Sequence, residues 1–311
     1  MMVLILKRKL FCHYDSRLRP ILMLMLFSCI PLLANCSRPS YENNDATFYS
    51  ATSIQNNAKS NLAPFEDKQL HYVSIGDNDG IPIVMVHGTP GSWETFKYVL
   101  GNTQLQSEFN IASIDRLNWG RSRQAATETK NKQKEEPNYK KQVDAIATII
   151  RHFVPNKKVI LVGHSLGSSI VPRVALDFPE LVSGMLLLSG TIDPELGDPR
   201  WYNHAANVWP VSSFVSTKMS QSNKEIMLLK ESLIATKPVW QLLDIPVTVI
   251  QGKSDKLVSP QNAEFAKQEL AHLGDKFRIL ELEKVGHFIP WEQTKVIRDE
   301  LVLLGKKIGK Q

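Results

Sequence analysis

A chain of 311 residues, 43% hydrophobic and 22% charged, suits one large α/β domain or one domain carrying an insertion. The formal charge is +6, but the first twenty residues hold five Lys and Arg against one Asp. The remainder is nearly balanced and has no dense basic run, which excludes a nucleic-acid footprint. All three cysteines (Cys12, Cys29 and Cys36) fall near the N-terminus, so the body has no disulfide, no thiol nucleophile and no thiolate metal ligand.

The N-terminal residues 1–36 read as a leader. Basic residues up to Arg19 precede the apolar run Ile21 to Ala34, whose fourteen residues are too few for a membrane span of about twenty. A charged region followed by a short apolar one is the layout of an export signal. Leu33-Ala34-Asn35-Cys36 resembles the lipobox of bacterial lipoproteins, although Asn35 departs from the usual small residue. The resemblance implies acylation at Cys36, a membrane partner through the lipid, and a location facing the periplasm or the outer membrane. Cys29 ends a second, weaker match, and a cleaved signal without lipid or a crude inner-membrane anchor is the alternative. Residues 37–61, rich in Asn, Ser and Thr, are expected to be a flexible tether.

From residue 62 to the C-terminus, short β-rich runs alternate with helical patterns. The predicted strands are Leu70–Ile75, Ile81–Val86, Phe109–Ile114, Val159–Val162, Met185–Leu188, Pro246–Ile250 and Phe277–Leu282. Their near-continuous Val, Ile and Leu content is that of parallel strands covered on both faces. The predicted helices are Trp93–Leu100, Tyr139–Phe153, Leu166–Phe178, Gln261–Leu273 and Trp291–Leu304. This succession predicts an α/β fold with a doubly wound, mostly parallel sheet. Residues about 191–243 show no strand pattern and are expected to form a helical cap. Arg121 to Lys141 is polar and mixed in charge, and reads as a solvated loop.

Val159-Ile160-Leu161-Val162 runs into Gly163-His164-Ser165-Leu166-Gly167, a G-x-S-x-G turn between a predicted strand and a predicted helix. The glycines let a strained bend expose a nucleophile, and the helix start offers N–H groups to developing negative charge. His87-Gly88-Thr89-Pro90-Gly91 follows an earlier strand. The N–H groups of Thr89 and Leu166 are therefore expected to form a two-donor oxyanion hole, with His87 bracing the loop. A glycine-lined turn with an unreactive serine is the bland alternative.

Five segments in order then resemble the α/β-hydrolase superfamily: His87 to Trp93, Asp115 to Ser122, the Ser165 turn, Gly252-Lys253-Ser254-Asp255, and Gly286-His287-Phe288. The resemblance implies Ser165 as nucleophile, Asp255 as acid and His287 as base, in the family's order. Asp193 is the rival acid. Asn118 stands where a Gly is common, with an effect expected on loop shape only. Family members that open epoxides or break carbon–halogen bonds carry Asp as nucleophile, so Ser165 implies acyl transfer to water instead.

The expected substrate is a small-molecule ester with a small or medium apolar acyl group. Trp119, Trp201, Tyr202, Trp209, Phe214 and Phe288 are candidates to wall its pocket, or else to pack cap against core. No cofactor and no metal are expected. The alternatives are a proline-iminopeptidase-like aminopeptidase, for which Asp193, Glu195 and Asp198 would receive the amine; a carbon–carbon bond hydrolase; and, in another class, a non-catalytic binding module on the same fold.

Overall fold

A computed structural model describes residues 54, 57–123 and 137–309. The expected leader, with Cys36, lies outside the described residues, as do most of the expected tether and residues 124–136 of the expected polar loop. The described residues all belong to one unit, Asn43–Gln311.

Eight strands form one sheet: β1 (Lys59–Phe65), β2 (Lys68–Gly76), β3 (Ile81–Val86), β4 (Phe109–Ile114), β5 (Val159–His164), β6 (Val182–Leu188), β7 (Val247–Gly252) and β8 (Phe277–Leu282). Their spatial order is β1-β2-β4-β3-β5-β6-β7-β8. The β1–β2 and β2–β4 pairs are antiparallel, and every pair from β4–β3 to β7–β8 is parallel. The sheet is thus mostly parallel, as its apolar strands imply. In β4, β5 and β7 every residue is buried, whereas edge strand β8 has none buried.

Successive residues of the central strands feed two cores, one on each face of the sheet. Val84, Val86 and Leu161 join one apolar cluster, and Ile83, Met85, Ile160 and Val162 join the other. The covering helices include α1 (Tyr139–Phe153), α2 (Leu166–Asp177), α3 (Trp201–Ala205), α4 (Thr217–Met227), α5 (Leu229–Thr236), α6 (Asn262–Glu269) and α7 (Thr294–Ile308). Helix α1 begins at Asn138, whose side chain accepts a hydrogen bond from the Lys141 N–H. It buries Val143, Ile146, Ala147 and Ile150 at helical spacing.

Two departures from the sequence reading matter for the site. Strand β1 was not expected, and its first three residues fall in the stretch read as tether. It pairs with β2 along its whole length, from Lys59↔Ser74 to Phe65↔Lys68. Residues 121–123 continue a 3-10 turn from Gly120 rather than starting an open loop, and Ser122 is fully buried there. Its hydroxyl donates to the Asp115 carbonyl at 2.8 Å and accepts from the His71 N–H at 2.7 Å. Between β6 and β7, residues 191–243 hold helices α3 to α5 and short 3-10 turns.

Candidate active site

Ser165 stands between the end of β5 and the first residue of α2, with φ 53° and ψ −123°. This backbone region is costly for a residue with a Cβ, and such cost is tolerated where the surroundings over-determine the bend. The surroundings here do so. The Ser165 N–H donates to the Leu188 carbonyl at 2.9 Å, and the Ser165 carbonyl accepts from the Ser168 N–H at 2.9 Å. Gly167 permits the close approach of α2 to β3, because a Cβ there would lie 2.2 Å from the Val86 carbonyl oxygen. Gly88 lies against the serine itself: a Cβ on it would be 2.7 Å from Ser165 Cβ and 3.3 Å from its Oγ. The His87–Thr89 turn therefore faces Ser165.

That turn is held by a buried network. The His87 ring donates from Nδ1 to the Gly88 carbonyl at 2.7 Å and accepts at Nε2 from the Arg116 N–H at 3.0 Å. Accepting at Nε2 demands the neutral ring, protonated on Nδ1. Complete burial, then the charge of Arg116, push its pKa down to about 3. Arg116 donates from Nε to the His87 carbonyl at 2.9 Å and from one terminal nitrogen to the Gly88 carbonyl at 3.0 Å. The same guanidinium forks onto Glu225 of α4, with both N···O distances at 2.9 Å. The indole N–H of Trp119 donates to Glu225 as well, at 2.9 Å.

The expected acid and base meet. His287 Nδ1 lies 2.7 Å from Asp255 Oδ2, and both residues are buried. The other carboxylate oxygen accepts from the N–H groups of Leu257 and Val258 at 2.8 and 2.9 Å. Burial alone would raise the Asp255 carboxyl. The His287 ring and these two N–H groups outweigh it and hold the carboxyl below its ordinary value. The His287 carbonyl accepts from Nε2 of His164, the residue before Ser165, at 3.0 Å, and the two rings are 5.0 Å apart. His164 is buried, and desolvation followed by the His287 charge lowers its pKa to about 3. Asp193 is engaged elsewhere: its carboxylate accepts from the Glu195 N–H at 2.9 Å.

The aromatic residues divide. Trp119 is 2% exposed and packs edge-on against His87 at 6.2 Å. Phe288 is half-buried, its ring 5.7 Å from that of His287. Trp201, Trp209 and Phe214 are 69, 79 and 81% exposed, and Tyr202 is 41% exposed. Asn118 adopts φ 67°, a region that Asn tolerates better than other residues with a side chain, so it fills the place of a glycine. The sequence reading did not anticipate Glu225. Nothing local marks it, since its partner Arg116 lies 109 residues away.

A profile described as the alpha/beta hydrolase fold matches residues 81–212, from β3 into the segment between β6 and β7. The fold is that of the α/β hydrolases. Cfl2 from Burkholderia cenocepacia superposes with a TM-score of 0.60 at 17% identity, over 82% of this chain and 98% of that one. The thioesterase domain from the curacin biosynthetic pathway superposes with a TM-score of 0.57 at 15% identity, over 79% of this chain and all of that domain. In sequence, Epoxide hydrolase 3 of Mus musculus is 28% identical over 125 residues. That match covers 39% of this chain and 31% of the mouse enzyme, so the chain aligns with about a third of that relative.

Proposed function

We propose that this protein is a serine hydrolase that cleaves carboxylic esters of small or medium apolar acyl groups through an acyl-enzyme. The observation that carries the reading is a serine on a strained strand-to-helix turn, faced by the Gly88 backbone, with a buried His287–Asp255 pair whose histidine packs against His164, the residue before that serine. Asp255 holds the Nδ1 proton of His287, which leaves Nε2 to take the proton of Ser165 as its oxygen attacks the ester carbonyl. The N–H groups of Thr89 and Leu166 receive the negative charge on the former carbonyl oxygen, helped by the N-terminal end of α2. Collapse breaks the bond to the leaving alcohol, which takes the proton from His287. A water, deprotonated by the same ring, then attacks the acyl-serine and releases the acid.

The name of the mouse relative raises epoxide opening as a rival. Its balance fails at Ser165. A serine oxygen that opened an epoxide would form an ether, and no water attack on a carbonyl could release it. A carboxylate nucleophile forms an ester, which water can cleave. The aminopeptidase reading is weaker because its expected acidic cluster is occupied: Asp198 pairs with Lys230 at 2.7 Å, and Asp193 serves a local turn. Carbon–carbon bond hydrolysis and a binding role without catalysis remain as rivals for the same test.

That test is labelling with a fluorophosphonate probe, followed by rates on a panel of acyl esters, an epoxide, a diketone and dipeptides. Labelling mapped to Ser165 with turnover of esters is the expected result. A folded protein that leaves Ser165 unlabelled would overturn the proposal. Ser165→Ala and His287→Ala are each expected to remove nearly all turnover without adding to one another, because the three groups act as a unit. Asp255→Asn should cost a factor on the order of 10⁴ by misorienting the base, while Asp193→Asn leaves the rate unchanged.

We propose in addition that the chain is exported and acylated at Cys36, which would hold the catalytic body at a membrane. Mass spectrometry of the mature N-terminus tests this, and an unmodified chain still beginning at Met1 or Met2 would refute it.

A further inference from the structure

The segment from Pro199 to Lys224 is built the wrong way round for a surface that meets only water. Trp201, Tyr202, Val208, Trp209 and Phe214 are exposed within fourteen residues, with Val208 at 62%. The side chains buried within it are polar: Asn203, Ser222 and Asn223. Asn203 donates to Asn223 Oδ1 at 2.7 Å, and Asn223 donates to the Asn203 carbonyl and to Asn207 Oδ1, both at 2.9 Å. Asn203 and Asn223 are buried. The link between α3 and α4 thus rests on hydrogen bonds, and the apolar area stays outside. Clustered exposed apolar groups mark an interaction surface rather than ordinary scatter.

The charge of the segment selects the partner. Pro199 to Lys224 carries Arg200, Lys218 and Lys224 and no Asp or Glu, in a chain with 31 acidic residues among 311. Cations beside Trp, Tyr and Phe are the composition of a segment that lies in the interface of a bilayer with negative headgroups. Arg200 also donates to the carbonyls of Lys256 and Leu257 at 3.0 to 3.3 Å. Both of those residues are exposed, and they directly follow Asp255. The apolar, cationic surface therefore continues onto the turn that bears the candidate acid. Among the described residues no helix is long and apolar enough to cross a membrane, so the contact in question is with its surface.

We propose that the segment Pro199–Lys224 docks on an anionic lipid bilayer, with Trp209 and Phe214 inserted among the headgroups and Lys218 near the phosphates. This contact is independent of any lipid on Cys36 and of the identity of the substrate. The test uses the full chain with vesicles of phosphatidylcholine alone or with about one-third phosphatidylglycerol, read by co-sedimentation and by hydrogen exchange of peptides within 199–224. Protection of those peptides on anionic vesicles, and little on neutral ones, is expected. Trp209→Ser combined with Phe214→Ser should remove that protection and weaken binding at least tenfold, and Lys218→Glu should weaken it roughly fivefold. Circular dichroism of each variant verifies that it is folded; Lys218→Glu keeps every apolar contact and tests the charge alone. Unchanged exchange in 199–224 on anionic vesicles would overturn the proposal, even if the leader brings the chain to the membrane. Protection that grows with protein concentration without vesicles would overturn it in favour of a second copy of the chain.

Discussion

Two buried histidines, His87 in the turn that faces Ser165 and His164 just before it in the chain, make the fold sensitive to mild acid. His87 and His164 are neutral in the folded protein, each lowered to about 3 from an ordinary 6.5. The sign follows from the unfolded chain, where both rings are free to take protons below about 6.5. Their contribution is fully present above that value, declines as pH falls, and levels off only below about 3. Between pH 7 and pH 5 the unfolded chain gains about 1.4 pH units of binding free energy per ring. At about 1.36 kcal/mol per unit this is roughly 2 kcal/mol each, or about 4 kcal/mol for the pair. A domain stable by about 5–15 kcal/mol would lose a large share. Urea unfolding followed by tryptophan fluorescence at pH 5, 6 and 7 measures the loss. His164→Gln keeps a donor toward the His287 carbonyl and should roughly halve the dependence on pH. The Asp255 carboxyl, held low, contributes above its unfolded value of about 3.8 and gives way only below it, outside this window. Stability at pH 5 within about 1 kcal/mol of that at pH 7 would refute the reasoning. So would an NMR titration in which either ring protonates near 6.5 in the folded state.

Gly167→Ala places a methyl 2.2 Å from the Val86 carbonyl oxygen, so the start of α2 or the end of β3 must move. We expect a loss of about 1–3 kcal/mol in urea unfolding, together with slower fluorophosphonate labelling of Ser165. Glu225→Gln leaves the buried Arg116 charge without its counter-charge and should cost about 3–5 kcal/mol, measured the same way. Replacing both, as Arg116→Met with Glu225→Leu, should recover part of that loss in stability but not the support of the Gly88 carbonyl. A single Glu225→Gln variant as stable as the parent would show that the fork holds nothing.

The parts of the fold that could be read from sequence are those whose causes are local. Strands β3, β4 and β8 begin and end where the apolar runs do, and α1 matches its helical period. The Ser165 turn is legible because its glycines sit at fixed spacing around the serine, although only Gly163 answers to a neighbour within a few residues, Ser168, and Gly167 answers to Val86 of β3. Strand β1 was not, because an edge strand is held by backbone pairing to β2 and needs no apolar period. Only Ala63 of its seven residues is buried. From sequence the aromatic residues between β6 and β7 suit pocket walls or packing, since large rings usually find cover. Periodicity gives no sign that Trp201 and Trp209 stay exposed while amides take the interior.

Glu225 marks the deeper limit. In sequence it is one carboxylate on a polar helix, flanked by Lys224, with every sign of a solvated face. In the fold it is 3% exposed and ends a relay that runs through Arg116 to the carbonyls of His87 and Gly88. Those carbonyls belong to a turn beyond the end of β3, where no strand partner supplies N–H groups, so a side chain must supply them. A guanidinium does this with several donors in one plane, and its charge then requires a buried carboxylate. Placing that carboxylate on α4 ties the helical segment to the loop facing Ser165. A shift of α4 must therefore either break the fork or carry the Gly88 turn with it. The segment between β6 and β7 is in this way a mechanical support of the candidate oxyanion hole as well as its neighbour.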